Sequence, residues 1–388
     1  MFRQASLFER GPALRVAPDT FQKLRLLTAA SRFDLAGSCA KDPQGRGRKR
    51  GPLGRWVYPV VLPNGRTLSL FRTLLSNVCF NDCAYCPLRA DRDPPRVSLS
   101  PEEIVQAFMG YFRRGWVHGL FLSSGVVGNP DLTMKLLIQT AEILRRREGF
   151  KGYIHLKVIP GASVGAIEEA ARWANALSLN IEAPSSQWFK HLSQRKKYEE
   201  EVIYGLKVIS RLRQDPSHKG LSQTTQFVVG AAGETDASLI RCTEALYKKL
   251  GLNRVYFSAY QAGCGRKDLP GENLAYRQDL LTREHRLYQV DFLLRKYGFS
   301  AREIPLNAKG FLDLDKDPKM AWAEAHPEFF PVNVNRASYR ELLRVPGIGP
   351  TLAKRIITLR KEAKLKTLEG LLPQGKLLER ARRYLIFS

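Results

Sequence analysis

The sequence is poor in cysteine and methionine, and it contains no long apolar run. Its 388 residues include only 6 Cys and 4 Met, and so few cysteines exclude a domain held together mainly by disulfides. No stretch approaches the roughly 18 consecutive apolar residues of a membrane-spanning helix, and the opening MFRQASLFER lacks the apolar core of a signal peptide. These absences predict a cytoplasmic protein in a reducing compartment, with no membrane partner.

Acidic residues are also scarce relative to basic ones. Only 37 Asp and Glu stand against 62 Lys and Arg, which gives a formal net charge of +25. Such an excess favours a polyanionic partner such as DNA or RNA. The basic N-terminal segment, residues 1–60, has 12 basic and four acidic residues, and its part 41–55 is rich in Gly, Pro and Arg. It is interpreted either as a solvated linker or as a direct nucleic-acid contact.

Short apolar runs alternate with amphipathic helical segments across residues 61–305. Six strands separated mostly by helices predict an α/β domain, with a parallel sheet curled into a partial (β/α)6 barrel. Ligands of such folds bind at the carboxyl ends of the strands. A linker and a small all-α domain are predicted over residues 306–388. The six predicted strands are residues 68–74, 119–123, 153–159, 177–181, 225–229 and 254–258.

Three of the cysteines, Cys79, Cys83 and Cys86, lie within eight positions directly after a predicted strand. The spacing CxxxCxxC allows three thiolates of one loop to ligate three irons of a 4Fe-4S cluster. A structural zinc site usually has four ligands, often as two close pairs, and no second CxxC or HxxxH follows here. The pattern therefore favours an iron-sulfur cluster whose fourth iron has no protein ligand.

This cysteine triplet, with the aromatic Tyr85 before its last member, resembles the signature of the radical S-adenosylmethionine superfamily. The resemblance implies that the open iron binds S-adenosylmethionine. It further implies that an electron cleaves this cofactor to a 5′-deoxyadenosyl radical. An external electron donor is therefore an implied partner.

Residues of the second and third predicted strands are candidates for the same site. By the resemblance, Ser123, Ser124 and Gly125 stand where related enzymes place a Gly-Gly-Glu element that binds the methionyl amino group. Two serines replace the first glycines and the Glu is missing, so the correspondence is partial. His155 and Lys157 alternate on the third strand and are candidates for lining the barrel, or are simply a core His and a surface Lys.

Residues of the fourth and fifth predicted strands complete the candidate cofactor site. Asn180 and Glu182 alternate with apolar neighbours and are expected to contact the ribose or methionine of the cofactor. Gly230, Gly233 and Glu234 resemble the glycine-containing turn that supports the adenine in this superfamily. Each of these residues also suits an ordinary cap or turn.

The remaining cysteines and one helix offer further candidates. Cys264, in a loop after the sixth strand, and Cys39, in the basic N-terminal segment, are candidate hydrogen-atom donors to a substrate radical. Cys242 is interpreted as an inert thiol in a helix. One predicted helix carries a further group of polar residues, Arg283, Glu284, His285 and Tyr288. These residues are candidates for substrate contact, or they form a salt-bridged face of the helix.

The segment 333–356, NVNRASYRELLRVPGIGPTLAKRI, predicts two short helices around a tight hairpin, with Asn335 as the N-cap of the first. It resembles the helix-hairpin-helix motif of DNA repair and recombination proteins. Glycines there let the backbone approach a phosphate without reading sequence. Residues 367–384 are interpreted as a second, degenerate copy with its hairpin at 373–375. The alternative is a helix pair used for packing or protein contacts. The predicted DNA-binding residues are Gly347, Ile348, Gly349, Lys354 and Arg355.

Nearly the whole chain resembles the DNA modification/repair radical S-adenosylmethionine family that is associated with uracil-DNA glycosylase-like proteins. The resemblance rests on the cysteine triplet, on GYIHLKVIPGA, TTQFVVGAAGE and REHRLYQVDFLLRKYGF, and on LLRVPGIG. It implies radical repair or modification of DNA, with duplex DNA and a uracil-DNA glycosylase-like protein as partners. Two alternatives stay open: a radical enzyme that modifies RNA, and a DNA-bound iron-sulfur sensor without turnover.

Overall fold

The centre of the molecule is a seven-stranded sheet. The structure, a computed structural model, describes residues 18–31, 57–61, 67–272, 279–369 and 376–388. Within these residues the strand order follows the sequence from β1 to β7; β1 pairs antiparallel with β2, and all later pairs are parallel. The strands are β1 (Val57–Val61), β2 (Thr67–Leu74), β3 (Gly119–Ser123), β4 (Tyr153–Lys157), β5 (Ala176–Ser178), β6 (Ser222–Val229) and β7 (Arg254–Ala259).

Helices connect the parallel strands. Several begin at capped residues: Ser100 forms a capping box with Glu103, and Asn129, Ser163 and Thr235 accept hydrogen bonds from the first turns of later helices. A π-helical segment, Tyr198–Ile203, precedes one of them. The helices of this part are α1 (Thr20–Ser31), α2 (Pro101–Arg113), α3 (Pro130–Arg146), α4 (Val164–Trp173), α5 (Ser186–Phe189), α6 (Tyr204–Gln214), α7 (Asp236–Leu250) and α8 (Asp279–Lys296).

The predicted partial (β/α)6 barrel is confirmed, with β2 to β7 as its six parallel strands. The prediction missed β1, which precedes them, and it made the fourth parallel strand too long, because β5 is limited to Ala176–Ser178. Buried aromatic rings fill the space between sheet and helices. Phe71 packs edge-on against Phe108 at 6.0 Å, and Phe227 stacks with Phe257 at 5.9 Å.

The last helix of the barrel, α8, runs antiparallel to β7. At the carboxyl end of β7, Ala259 N donates to the Glu284 carboxylate at 2.6 Å. Further back along the strand, Phe257 N donates to the Tyr288 hydroxyl at 3.0 Å. Its 18 residues make α8 about 27 Å long. It therefore begins at the carboxyl edge of the sheet and ends at the amino edge.

The C-terminal residues pack around a second group of buried side chains. This group includes Val334, Leu342, Ile348 and Ile356, none of which is more than 1% exposed. The predicted all-α character is incomplete, because two short strands pair in parallel here. The elements are α9 (Pro318–Ala325), β8 (Val332–Asn333), α10 (Tyr339–Arg344), α11 (Pro350–Leu359), α12 (Lys376–Arg382) and β9 (Leu385–Ile386).

The N-cap prediction for this segment is wrong by three residues. Ser338 caps α10 and forms a capping box with Glu341. Asn335 instead ties two loops together: its side-chain amide donates to the carbonyl of Leu365 at 3.0 Å and accepts from the N–H of that residue at 2.9 Å.

Across the ranges that the structure describes, no helix is both long and apolar enough to cross a membrane.

Candidate functional site

A cavity of about 1100 Å³, open to solvent, lies at the carboxyl edge of the sheet. The structure brings most of the predicted site residues together around it. Those that line it are Cys79, Cys83, Cys86, Ser123, Ser124, Gly125, Asn180, Glu182 and Cys264.

The three cysteines of the triplet suit a cluster better than a single ion. Cys83 is buried, and Cys79 and Cys86 are half-buried. Among the described residues, no three His, Cys, Asp or Glu side chains are placed to hold one metal ion together. A 4Fe-4S cluster does not need such convergence, since each thiolate binds its own iron. The donor set and its spread around one cavity therefore fit the cluster.

Backbone N–H groups already point at two of these sulfurs. Val126 N donates to Cys79 Sγ, and Leu88 N donates to Cys86 Sγ, each at 3.4 Å. Burial raises the pKa of both Cys83 and Cys86, so they are neutral thiols until a metal replaces the proton. Metal binding at this loop must therefore release protons.

Gly125 allows the loop after β3 to approach the cysteine loop. A Cβ at this position would lie 2.3 Å from the carbonyl oxygen of Val78 and 3.2 Å from Cys79 Cβ. Gly125 N also donates to the carbonyl of Ser76 at 2.8 Å. The predicted importance of this residue is therefore explained by packing against the cysteine loop.

Charged and polar side chains face the cavity beside the thiols. Lys196, which no sequence pattern singled out, lines the cavity and lies near the Cys83 sulfur and the Glu182 carboxylate. Tyr85 also lines the cavity, and burial is the main cause that raises its pKa, with the nearby Glu182 carboxylate adding to the shift. Glu182 Oε2 and Ser124 Oγ are buried and have no hydrogen-bond partner among the described residues. Such buried polar atoms normally have a partner, so the two fit the amino end of a bound methionyl group.

The glycine-containing turn lies outside the lining of the cavity. Gly230 and Gly233 both have positive φ, at 84° and 79°, and neither lines the cavity. Glu234 is buried below the turn, and its carboxylate accepts the N–H groups of Gly230 at 2.5 Å and Ala232 at 3.2 Å. The Glu234 carboxylate therefore holds the backbone of this turn in place.

The polar group on α8 has a structural role. The sequence left open whether these residues contact the substrate or form a salt-bridged helix face. Arg283 is 8% exposed; it binds the Asp236 carboxylate at 2.7 Å and lies 3.5 Å from that of Glu234. Glu284 and Tyr288 bind the backbone of β7, as described above. These three residues are therefore framework residues rather than substrate contacts.

On β4, Lys157 lines the cavity but His155 does not. The His155 ring packs against Phe121 at 4.5 Å between centroids. One residue of the predicted pair thus belongs to the site and the other to the core.

Cys264 lies in a loop that is fastened to the cysteine loop. Arg266 N donates to the carbonyl of Ala84 at 2.8 Å, and Arg89 donates to the carbonyl of Cys264 itself at 3.2 Å. The neighbouring N–H groups of Gly263 and Gly265 donate to Glu272 at 2.9 and 3.2 Å. The thiol is therefore held at the mouth of the cavity. Cys242 lies on α7 outside the cavity, and Cys39 is outside the described residues.

The predicted hairpin forms between α10 and α11. Gly347 has a φ of 89°, and Gly349 is the N-cap of α11, which continues with Pro350. Lys354 and Arg355 are exposed on the first turns of α11. Ile348 points inward and is 1% exposed, so its side chain anchors the hairpin and cannot contact DNA. The hairpin of the predicted second copy, and most of the basic N-terminal segment, lie outside the described residues.

Two side chains, those of Lys319 and Arg344, hold the hairpin against the barrel. Lys319 of α9 donates to the carbonyl of Ile348 at 2.5 Å, and its ammonium lies 4.7 Å from the centre of the Tyr297 ring. Arg344 of α10 lies 3.6 Å above the Phe299 ring and 2.7 Å from the Glu303 carboxylate. The hairpin is therefore held against the amino edge of the sheet, where α8 ends.

Comparison with known proteins agrees with this geometry. Residues 73–246 match the model of the Radical SAM superfamily, and residues 329–380 match that of the Helix-hairpin-helix motif. The first range contains the cysteine triplet and the cavity strands up to β6, and the second contains the hairpin.

Individual relatives are distant. The Threonylcarbamoyladenosine tRNA methylthiotransferase MtaB of Thermotoga maritima is 28% identical over 218 residues, which are 52% of this chain and 46% of that protein. The chain thus spans about half the length of the curated relative it matches. Among solved structures, methylornithine synthase (PylB) has a TM-score of 0.46 at 16% identity, over 58% of this chain and 62% of that one. The FeFe-hydrogenase maturase HydG from Carboxydothermus hydrogenoformans also has a TM-score of 0.46, at 15% identity, over 78% and 79% of the two chains.

The superfamily match and the cavity of three cysteines together assign the cofactors, which are a 4Fe-4S cluster and S-adenosylmethionine. The chain therefore contains a radical S-adenosylmethionine domain and, after it, a helix-hairpin-helix motif.

Proposed function

We propose that this radical S-adenosylmethionine enzyme acts on DNA, either repairing a damaged nucleotide or modifying a normal one. The observation that carries the proposal is the fixed attachment of a helix-hairpin-helix motif to the barrel, through Lys319 and Arg344. The net charge of +25 supports a polyanionic substrate. The proposed division is a radical domain over residues 61–305, preceded by the basic segment 1–60 and followed by a DNA-binding module over 306–388.

Residues of the cavity are assigned to the two cofactors by their chemistry. Cys79, Cys83 and Cys86 would hold the cluster. Glu182 and Lys196 offer opposite charges, which suit the amino and carboxylate groups of the methionyl end, and Ser124 offers a further acceptor. When bound, the cluster and S-adenosylmethionine supply a 5′-deoxyadenosyl radical that takes a hydrogen atom from the substrate.

Cys264 is the proposed hydrogen donor to the resulting substrate radical. Its thiol lines the cavity on a loop tied to the cysteine loop. Transfer of the hydrogen atom from its S–H bond would form a new bond to hydrogen at the radical atom of the substrate and leave a thiyl radical on Cys264. One electron from the external donor and one proton from water would then restore the thiol. Cys39, a thiol of the basic N-terminal segment, remains a second proposed donor.

The hairpin is proposed to bind the phosphate backbone. The N-terminus of α11 and the neighbouring cations Lys354 and Arg355 favour an anion there, and Gly347 and Gly349 leave room for close approach. Contacts of this kind position a duplex without reading its sequence. Sequence or lesion choice would then come from the cavity. The family resemblance adds a uracil-DNA glycosylase-like protein as a proposed functional partner.

Product analysis under anaerobic conditions tests the proposal. The reconstituted, reduced enzyme is incubated with S-adenosylmethionine and no nucleic acid, duplex DNA or structured RNA, and 5′-deoxyadenosine is measured by chromatography. Formation that rises with duplex DNA is the expected result. Stimulation by RNA alone would favour the modification of RNA instead. A bound cluster with no 5′-deoxyadenosine, in conditions that activate a control enzyme, would favour the sensor.

A further inference from the structure

The hairpin and the cavity lie at opposite edges of the sheet. The hairpin contacts Tyr297, one residue after the end of α8, whereas the cavity is lined by Ala259, whose N–H binds Glu284 in the second turn of the same helix. Thirteen residues of helix between Glu284 and Tyr297 correspond to about 20 Å. At about 3.4 Å per base pair, that distance is roughly six base pairs of B-form DNA. A DNA that engages both sites must therefore cross the surface between them.

The outer face of α8 runs between these two sites. Leu281, His285, Phe292 and Lys296 are exposed and recur at intervals of four and seven residues, so they share one side of the helix. Phe292 is 45% exposed, a large fraction for an aromatic side chain. Lys296, the last residue of this face, directly precedes Tyr297, whose ring lies beside Lys319 next to the hairpin.

An arginine from the edge of the sheet joins this face. Among the described strands, β7 has a neighbour on one side only, and Arg254 begins it. The Arg254 guanidinium lies 5.6 Å from the ring centre of Phe292, 5.9 Å from that of Tyr288 and 5.4 Å from that of Tyr256. Its Nε has no hydrogen-bond partner among the described residues. Its charge faces no carboxylate within ion-pair distance in the same part of the chain.

The second arginine beside Phe292 differs in this respect. Arg295 lies 5.2 Å from the centre of the Phe292 ring, but it binds the buried Asp291 carboxylate at 2.6 Å. Its charge is compensated, and its role is to fix the ring. Phe292 therefore presents a fixed aromatic ring, and Arg254 presents a cation beside it. This combination suits a sugar or base next to a phosphate.

We propose that this surface, here called the α8 track and made of Leu281, His285, Phe292 and Lys296 with Arg254 of β7, binds the DNA between the hairpin and the cavity. Arg254 and Lys296 contact phosphates, and Phe292 packs against a sugar or an unstacked base. The inference rests on the proposed function, because it assumes DNA as the substrate. It adds that the hairpin anchors the duplex at least about six base pairs from the nucleotide that enters the cavity.

Binding of fluorescent DNA to the full chain tests the α8 track. The probe is a duplex of about 20 base pairs, which at about 3.4 Å per base pair is longer than the distance of about 20 Å between the hairpin and the cavity. Arg254→Gln and Phe292→Leu should each raise the Kd for the duplex about three- to tenfold. Arg254→Gln should also lower the slope of log Kd against log salt by about one.

Matched variants guard against trivial effects. Arg146→Gln removes another exposed arginine over an aromatic ring, 5.0 Å from the centre of Trp173 on a different face, and should leave the Kd for the duplex unchanged. Arg254→Lys keeps the charge and should keep the parent salt slope even if the fold is weakened.

The outcomes separate the two proposals. If Gly347→Glu weakens binding of the duplex while Arg254→Gln and Phe292→Leu do not, the α8 track is wrong and the DNA hairpin stands. If Gly347→Glu has no effect and the parent binds duplex DNA no better than a neutral control protein, the proposed function itself fails. Weaker binding by Arg254→Gln at the salt slope of the parent would also overturn the track, since the loss of a phosphate contact must lower that slope.

Discussion

Lys319 is a buried amine whose replacement should change how stability depends on pH. It is 7% exposed, and burial lowers its pKa to about 7 from an ordinary value of 10.5. Asp317 opposes this shift and Arg344 adds to it. Between pH 7 and 10.5 the unfolded chain therefore holds a proton that the folded chain has lost, so this group makes stability rise with pH across that window.

The expected size follows from the linkage. At about 1.4 kcal/mol for each pH unit, and with half of the folded molecules still protonated at pH 7, the gain between pH 7 and pH 9 is about 2 kcal/mol. Lys319→Met removes the titrating group and keeps the apolar stem. The free energy of unfolding is measured by urea titration for the parent and the variant at both pH values. The difference between the two proteins isolates Lys319, because the other titrating groups are the same in both.

The same substitution should loosen the hairpin, because the Ile348 carbonyl loses the donor that binds it at 2.5 Å. Duplex DNA affinity of Lys319→Met should fall several-fold at pH 7, while cluster content stays at the parent level. A parent and a variant that gain equal stability from pH 7 to pH 9 would refute the burial argument.

Three further changes have definite expected outcomes. Gly125→Ala pushes a Cβ against the Val78 carbonyl and should lower iron and sulfide content after reconstitution, whereas Gly165→Ala, with nothing within 4 Å, should not. Arg283→Met leaves two buried carboxylates without their cation and should lower the free energy of unfolding by about 3 to 5 kcal/mol, measured by urea titration. Cys264→Ala should abolish or divert product formation while cluster absorbance near about 400 nm persists; Cys242→Ala, another half-buried thiol, is the control.

The parts of the site that are local in sequence were predictable. Cys79, Cys83 and Cys86 fall in one loop after one strand, and Gly347 and Gly349 fall in one turn, so spacing alone indicates their chemistry. The alternation of strands and helices likewise predicts the parallel sheet and places the site at its carboxyl edge.

The parts that depend on contacts across the chain were not predictable. Lys196 carries no spacing signal, and it becomes a site residue only because the segment after β5 folds back onto the cysteine loop. From the sequence, Arg283 and Tyr288 suit substrate contact as well as a structural role. Only the partners of their side chains on other elements decide between the two. Ile348 lies in the hairpin by sequence, yet its side chain is needed in the core.

The separation of hairpin and cavity also required the structure. The β/α alternation predicts that α8 runs from the carboxyl edge to the amino edge of the sheet, but nothing in the sequence indicates that the hairpin packs beside the end of this helix. With this arrangement, the length of α8 sets the distance that DNA bound at the hairpin must span to reach the cavity.

The central claim is that DNA held by the hairpin is the substrate of the radical chemistry. Its most direct test is the amount of 5′-deoxyadenosine formed with saturating S-adenosylmethionine and limiting duplex DNA, for the parent and for a Gly347→Glu, Lys354→Ala double variant of equal cluster content. The account predicts DNA stimulation in the parent and its loss in the variant, with equal basal formation. Equal stimulation of both proteins, or none in either, would contradict it.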